Sequence, residues 1–128
     1  MIVVDSSVWI DNIRGAAGDH VRMLGEIHPN SILIGDLVLT EVLQGARHDE
    51  HAAKLLREFQ QFPIVDMLSA DLAPLVARNF RRLRSLGITI RKTTDLIIGT
   101  FCIENDHDLL QNDRDYLPMG RHLGLKLI

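Results

Sequence analysis

Apolar residues fall into two rhythms that alternate along the chain. Ile2-Val3-Val4 and Ser31-Ile32-Leu33-Ile34 are short runs rich in β-branched residues, too brief for helices, and they predict buried strands. Between them, Ser6 or Ser7 predicts the cap of a helix through Val8-Trp9-Ile10-Asp11 that ends near Gly15. Asp19 to Ile27 suggests a second, only partly periodic helix, broken by Pro29-Asn30. Asp36 is placed to cap a helix that closes at Gly45. From Asp49 to Phe59 the residues Ala52, Leu55, Leu56 and Phe59 share one face of a further helix. Phe62-Pro63-Ile64-Val65 suits a short edge strand, where proline is tolerated. Ser69 to Leu86 predicts a long helix with the stripe Leu72, Leu75, Val76, Phe80 and Leu83, stopped by Gly87. Thr93 or Thr94 opens another helix through Glu104, and Asp108 to Gln111 and Leu125 to Ile128 read as the last strands. Strands alternating with helices imply an α/β domain around a mainly parallel sheet. With no repeat, linker or low-complexity tract, residues 1–128 are expected to form one unit.

Bulk properties narrow the class. At 46% hydrophobic and 24% charged residues the composition is that of an ordinary globular protein, and no apolar run nears the roughly 20 residues of a membrane span. An acid at position 5, where a secretory leader would be basic, adds to the expectation of a cytoplasmic protein with no membrane partner. Cys102 is the single cysteine, which excludes an internal disulfide and a cysteine-based zinc site. Set in an apolar helical pattern beside Glu104, Asp106 and Asp108, it is expected to be a buried, inert thiol. His48 and His51 are three residues apart but lack a third ligand, so they read as surface residues. The net charge of -3 hides a basic segment, Arg78, Arg81, Arg82, Arg84, Arg91 and Lys92. That segment could be a solvated helix face or a track for phosphates.

Four carboxylates change the picture most. Asp5 closes the run Ile2-Val3-Val4, and Asp113 follows Leu109-Leu110-Gln111-Asn112, so both belong at the carboxyl ends of strands. Glu41 shares a helical stripe with Val38, Val42 and Gly45, and Asp95 shares one with Ile98, Gly99 and Cys102. Taken singly, Asp5 could cap a helix, Asp95 could complement a helix dipole, and Asp113 could be a turn residue. Glu41 lacks such an alternative beyond a salt bridge to an arginine. Acids gathered beside a core repel one another and resist ionising away from water, and a divalent cation relieves both costs. Oxygen-only ligands favour Mg²⁺ or Mn²⁺ over zinc.

The ordered set Val3-Val4-Asp5-Ser6-Ser7-Val8-Trp9-Ile10-Asp11, Thr40-Glu41-Val42, Thr94-Asp95-Leu96-Ile97-Ile98-Gly99 and Leu110-Gln111-Asn112-Asp113-Arg114-Asp115-Tyr116 resembles a PIN domain, more narrowly the VapC toxins of toxin–antitoxin pairs. The resemblance covers the whole chain. It implies a three-layer α/β/α fold and a Mg²⁺- or Mn²⁺-dependent endoribonuclease, usually homodimeric and held inactive by an antitoxin. Carried over, Asp5, Glu41, Asp95 and Asp113 become the metal-binding acids, with Asp115 a plausible fifth. Ser7, or less readily Ser6, would hydrogen-bond the metal water or the scissile phosphate, and Asn112 would orient a neighbouring carboxylate. Gln111 departs from the threonine or serine common in relatives, a change expected to touch the hydrogen bonding around the ligands. Arg81, Arg82, Arg84, Arg91 and Lys92 become candidates for RNA contact, and Trp9 and Ile13 for a helical partner, although Trp9 could equally be core or dimer contact. Two other readings remain: a regulator that uses the fold only to bind a partner, and a metal-dependent phosphatase. One large phosphatase group needs a second aspartate where this chain has Ser7.

Overall fold

The strand β1 (Ile2–Val4) sits at the centre of a five-stranded sheet in the order β3-β2-β1-β4-β5, with β2 spanning Ile32–Gly35, β3 Ile64–Val65, β4 Asp108–Leu110 and β5 Lys126–Leu127. Every neighbouring pair is parallel, and Val3 lies between Leu33 on one side and Leu109 on the other. The computed structural model describes all 128 residues. Helices α1 (Ser6–Ile13), α2 (Asp19–Glu26), α3 (Asp36–Gln44), α4 (Asp49–Phe59), α5 (Leu72–Ser85), α6 (Thr93–Glu104) and α7 (Leu117–Leu123) make the crossovers and cover the sheet. One core cluster of 26 buried side chains runs through it, with Val3, Val8, Ile34, Val38, Leu83, Ile98, Cys102 and Leu109 fully enclosed. Strands buried on both faces need the unbroken β-branched runs seen in the sequence. No helix is long and apolar enough to cross a membrane.

The predicted strands and long helices are present, and the differences lie at their ends. Asp5, not Ser6 or Ser7, caps α1: its side chain accepts from the Ser7 backbone N–H. Asp36 is not the cap of α3 but its first residue, behind Gly35. Its Oδ1 accepts from the backbone N–H groups of Leu37, at 2.8 Å, and Met67, at 3.0 Å. Gly35 ends β2, and a Cβ there would overlap the Met67 side chain. The α5 helix starts at Leu72, not Ser69; Ser69 instead accepts from the Leu72 N–H through its hydroxyl at 3.0 Å. The edge strand after Phe62 narrows to Ile64–Val65, leaving Pro63 outside, and β4 ends at Leu110 rather than Gln111.

One element was not foreseen. α7 follows a 3-10 turn at Arg114–Tyr116, carries proline in its first turn and stops at Gly124, whose φ of 80° suits glycine. Its Met119 side chain reaches α6 at Gly99, where a Cβ would overlap the Met119 sulfur. Trp9 is buried, edge-on to Phe59 at 4.8 Å and tilted against Phe62 at 5.8 Å, whereas Ile13 is 40% exposed.

Candidate metal centre

In a sheet ordered this way the connections leave β1 and β4 toward opposite edges, so a crevice opens between their carboxyl ends. Asp5 leaves the end of β1, its backbone N–H donating to the Leu110 carbonyl at the end of β4, 2.9 Å away. Asp113 and Asp115 stand in the turn that follows β4, and Asp95 stands in the first turn of α6. Glu41 enters from α3, half-buried, on the same side of the helix as the buried Val38 and Val42.

The tightest grouping is Asp95, Asp113 and Asp115, each offering a carboxylate oxygen within 4.8 Å of the others. Asp5 joins through Tyr116, whose buried hydroxyl lies 2.7 Å from Asp5 Oδ1 and 3.3 Å from Asp95 Oδ1. The remaining Asp5 oxygen, Oδ2, accepts from the Ser7 hydroxyl at 2.6 Å and from the Ser7 N–H at 3.2 Å. The Ser7 hydroxyl thus donates its proton to Asp5. The same Ser7 oxygen accepts from the Asn112 backbone N–H at 3.4 Å. Asn112 is exposed and meets the site through that N–H; the donor that orients Asp113 is the Asp115 N–H, on Oδ1 at 2.9 Å. Gln111, the residue that departs from relatives, accepts the Asp113 N–H with its side-chain oxygen and so shapes the turn carrying the acids.

Electrostatics follow from this crowding. Asp95 is 4% exposed, and burial, then the charges of Asp5 and Asp113, push its carboxyl up to about 7. Burial and Asp5 also raise Glu41, against the opposing pull of the Ser6 hydroxyl and Lys92. Lys92, at the N-terminal edge of α6, is the basic residue whose field reaches both Asp95 and Glu41. Two carboxylate oxygens, Asp95 Oδ2 and Glu41 Oε1, are buried without any hydrogen-bond partner. Such atoms are costly unless something positive meets them. An all-oxygen donor set with two orphaned carboxylate oxygens fits a hard divalent cation.

Other sequence candidates lie elsewhere. Arg81 and Arg84 line an apolar groove with Val76, Phe80, Leu96 and Ile97, and the Arg84 guanidinium sits 5.6 Å over the Phe80 ring. Arg78, Arg82 and Arg91 are exposed. His48 caps α4 by accepting from the His51 N–H, and neither histidine belongs to the acids' grouping. Cys102 is fully buried, with its thiol pushed up to about 12 by burial. Tyr116 is the site residue that the sequence reading did not single out. A tyrosine directly after Asp115 was the available signal, but only the turn of the chain into α7 aims it back at the acids.

A parallel α/β sheet flanked by helices, with a cluster of acids at its carboxyl edge, defines the class of protein. Residues 2–121 match the PIN domain, and the chain belongs to that family. Its fold is similar to that of VapBC2 from Rickettsia felis, bound to a DNA fragment from their promoter: TM-score 0.78, 22% identity, 100% of this chain and 98% of the other covered. It is similar also to FitAcB from Neisseria gonorrhoeae, with TM-score 0.75 and 14% identity over 100% of this chain and 96% of the other. For DNA-bound VapBC from Salmonella typhimurium the TM-score is 0.72 at 18% identity, over 99% and 96% of the two chains.

Proposed function

We propose that this protein is a Mg²⁺- or Mn²⁺-dependent endoribonuclease, acting in the cytoplasm as the toxin of a VapBC-type toxin–antitoxin pair. The observation that carries the reading is the grouping of Asp95, Asp113 and Asp115, with Asp5 joined to Asp95 through Tyr116 and Glu41 in the field of both, and with buried Asp95 and Glu41 oxygens that lack partners. Asp5, Asp95, Asp113 and Asp115 would hold the cation, and Glu41 would face it from α3. A bound Mg²⁺ or Mn²⁺ lowers the pKa of a coordinated water and offsets charge on a phosphodiester. The rest belongs to the chain. Ser7 and Tyr116 hold the two Asp5 oxygens, and the Asp115 N–H holds Asp113. Glu41, whose carboxyl is raised by burial and by the Asp5 charge, would take a proton from an attacking water or align it. Lys92, whose charge acts on Asp95, would meet an incoming phosphate group, and the exposed Arg82 and Arg91 would extend the positive charge beyond it.

Partner binding is supported by a groove between α1 and α4, lined by Trp9, Asn12, Ile13, Glu58, Phe59 and Phe62. There Ile13 is exposed and the Trp9 indole N–H is buried without an acceptor. An antitoxin helix laid on this groove would cover the first and satisfy the second. The groove between α5 and α6 is the corresponding candidate for contact with a second copy.

The test is RNA degradation by purified protein with Mg²⁺ or Mn²⁺, and with EDTA, alongside Asp5→Asn. The variant is expected to fold and to lose cleavage. Cleavage that persists in EDTA, or in Asp5→Asn, would remove the metal mechanism. Growth arrest on expression, relieved by a small DNA-binding protein encoded beside it, checks the toxin assignment.

A further inference from the structure

Tyr116 has no solvent exposure, and its ring is anchored at the junction of the 3-10 turn and α7, under the α6 turn that carries Asp95. Its single hydroxyl hydrogen faces two carboxylate oxygens from unconnected elements, Asp5 Oδ1 at 2.7 Å and Asp95 Oδ1 at 3.3 Å. No other side-chain hydrogen bond links Asp5 to Asp95; of the acids, Ser7 bonds only Asp5. A carboxylate oxygen has two lone-pair sites, so a hydrogen bond from Tyr116 leaves each oxygen one site for a cation.

Resting on the metal-dependent reading above, we propose that Tyr116 is a positioning residue that tethers Asp5 to Asp95 and presets the spacing of the metal-binding carboxylates. Without the hydroxyl, two like charges from separate elements have nothing between them and swing apart. The cation must then gather them at its own expense. Groups that hold metal-binding carboxylates in place typically account for roughly 10–100-fold in metal affinity.

The phenol is also a reporter. Tyr116 is the only tyrosine of the chain, so any tyrosine signal that follows metal binding arises here. Trp9, the one tryptophan, packs on Phe59 and Phe62, away from the acids. The experiment is a titration of the full chain with Mn²⁺, followed by calorimetry and by tyrosine difference absorption, on the wild type and Tyr116→Phe. In the wild type the tyrosine difference signal is expected to saturate together with the heat. In Tyr116→Phe the signal disappears, and Mn²⁺ binds at least about 10-fold more weakly. Phenylalanine keeps the ring in its buried place, and unchanged circular dichroism confirms the fold. Wild-type affinity in Tyr116→Phe, or Mn²⁺ uptake by the wild type with a silent tyrosine, would overturn the proposal while leaving the metal site intact. Should Tyr116→Phe not fold, the wild-type titration alone still decides. Absence of any Mn²⁺ uptake by the wild type would overturn the metal-dependent reading itself, and this inference with it.

Discussion

Asp95 carries the largest conflict at the scale of single residues, because it is buried, faces other acids and has one oxygen without a partner. Its carboxyl lies at about 7 in the folded, metal-free chain against an ordinary value of 3.8. Below that ordinary value the folded and unfolded chains both hold the proton. Between it and about 7 only the folded chain does, so the unfolded chain gains by ionising and stability falls as pH rises. Above about 7 both forms are ionised and no further loss follows from this group. Scanning calorimetry in EDTA is expected to show the melting temperature declining through that window in the wild type. Asp95→Asn should flatten the decline and stabilise the metal-free protein at neutral pH by on the order of 1–2 kcal/mol, while losing RNA cleavage. A wild-type profile that rises through the same window would remove Asp95 as the strained group. The sequence showed that Asp95 shares a stripe with Ile98, Gly99 and Cys102, and so pointed inward. It could not show Tyr116 beside it, since their 21-residue separation is closed only by the path through α6, β4 and the 3-10 turn.

Elements were legible wherever one physical signal dominated. Both central strands announced themselves because burial on two faces demands continuous apolar runs, and α4 because its stripe is strictly periodic. Helix ends were harder: a Ser, Thr or Asp beside a boundary is compatible with several cap positions, and only tertiary partners choose among them, as Met67 does for Asp36. The α7 helix escaped notice because its seven residues hold a proline and a glycine and too few apolar positions to repeat. A further hidden feature joins α5 to α6, where the Asn79 amide donates to the Thr100 hydroxyl at 3.0 Å inside the core. Thr100→Val keeps the volume but leaves that amide buried and unpaired, at a cost of about 1–3 kcal/mol. Urea denaturation should record this loss, and Mn²⁺ affinity should stay unchanged, because Thr100 meets none of the acids. Stability equal to wild type would mean that Asn79 finds another acceptor.

Across the whole molecule, the proposed ribonuclease activity would require a chain of net charge -3 to attract a polyanion to a site built from carboxylates. Bulk charge works against this, so attraction has to come from local distribution and from any cation bound by the acids. The basic segment divides on these grounds. Lys92 is exposed and its charge acts on both Asp95 and Glu41, whereas Arg84 is drawn over Phe80 in the α5–α6 groove. A phosphate contact from Lys92 predicts that Lys92→Ala weakens RNA binding and lowers the slope of log K against log salt by about 0.7, the share of one phosphate on a single strand. Arg84→Ala, on a side chain already engaged with an aromatic ring, is expected to change that slope far less. Both should be measured by fluorescence anisotropy with a labelled RNA in Asp5→Asn, a background in which the substrate survives. Removing Lys92 also withdraws the positive field that favours ionised Asp95, so the metal-free Lys92→Ala protein should hold its Asp95 proton to higher pH than the parent. Equal salt slopes for the parent and Lys92→Ala would move the RNA path off this edge of α6, and a steeper loss in Arg84→Ala would place it along the α5–α6 groove.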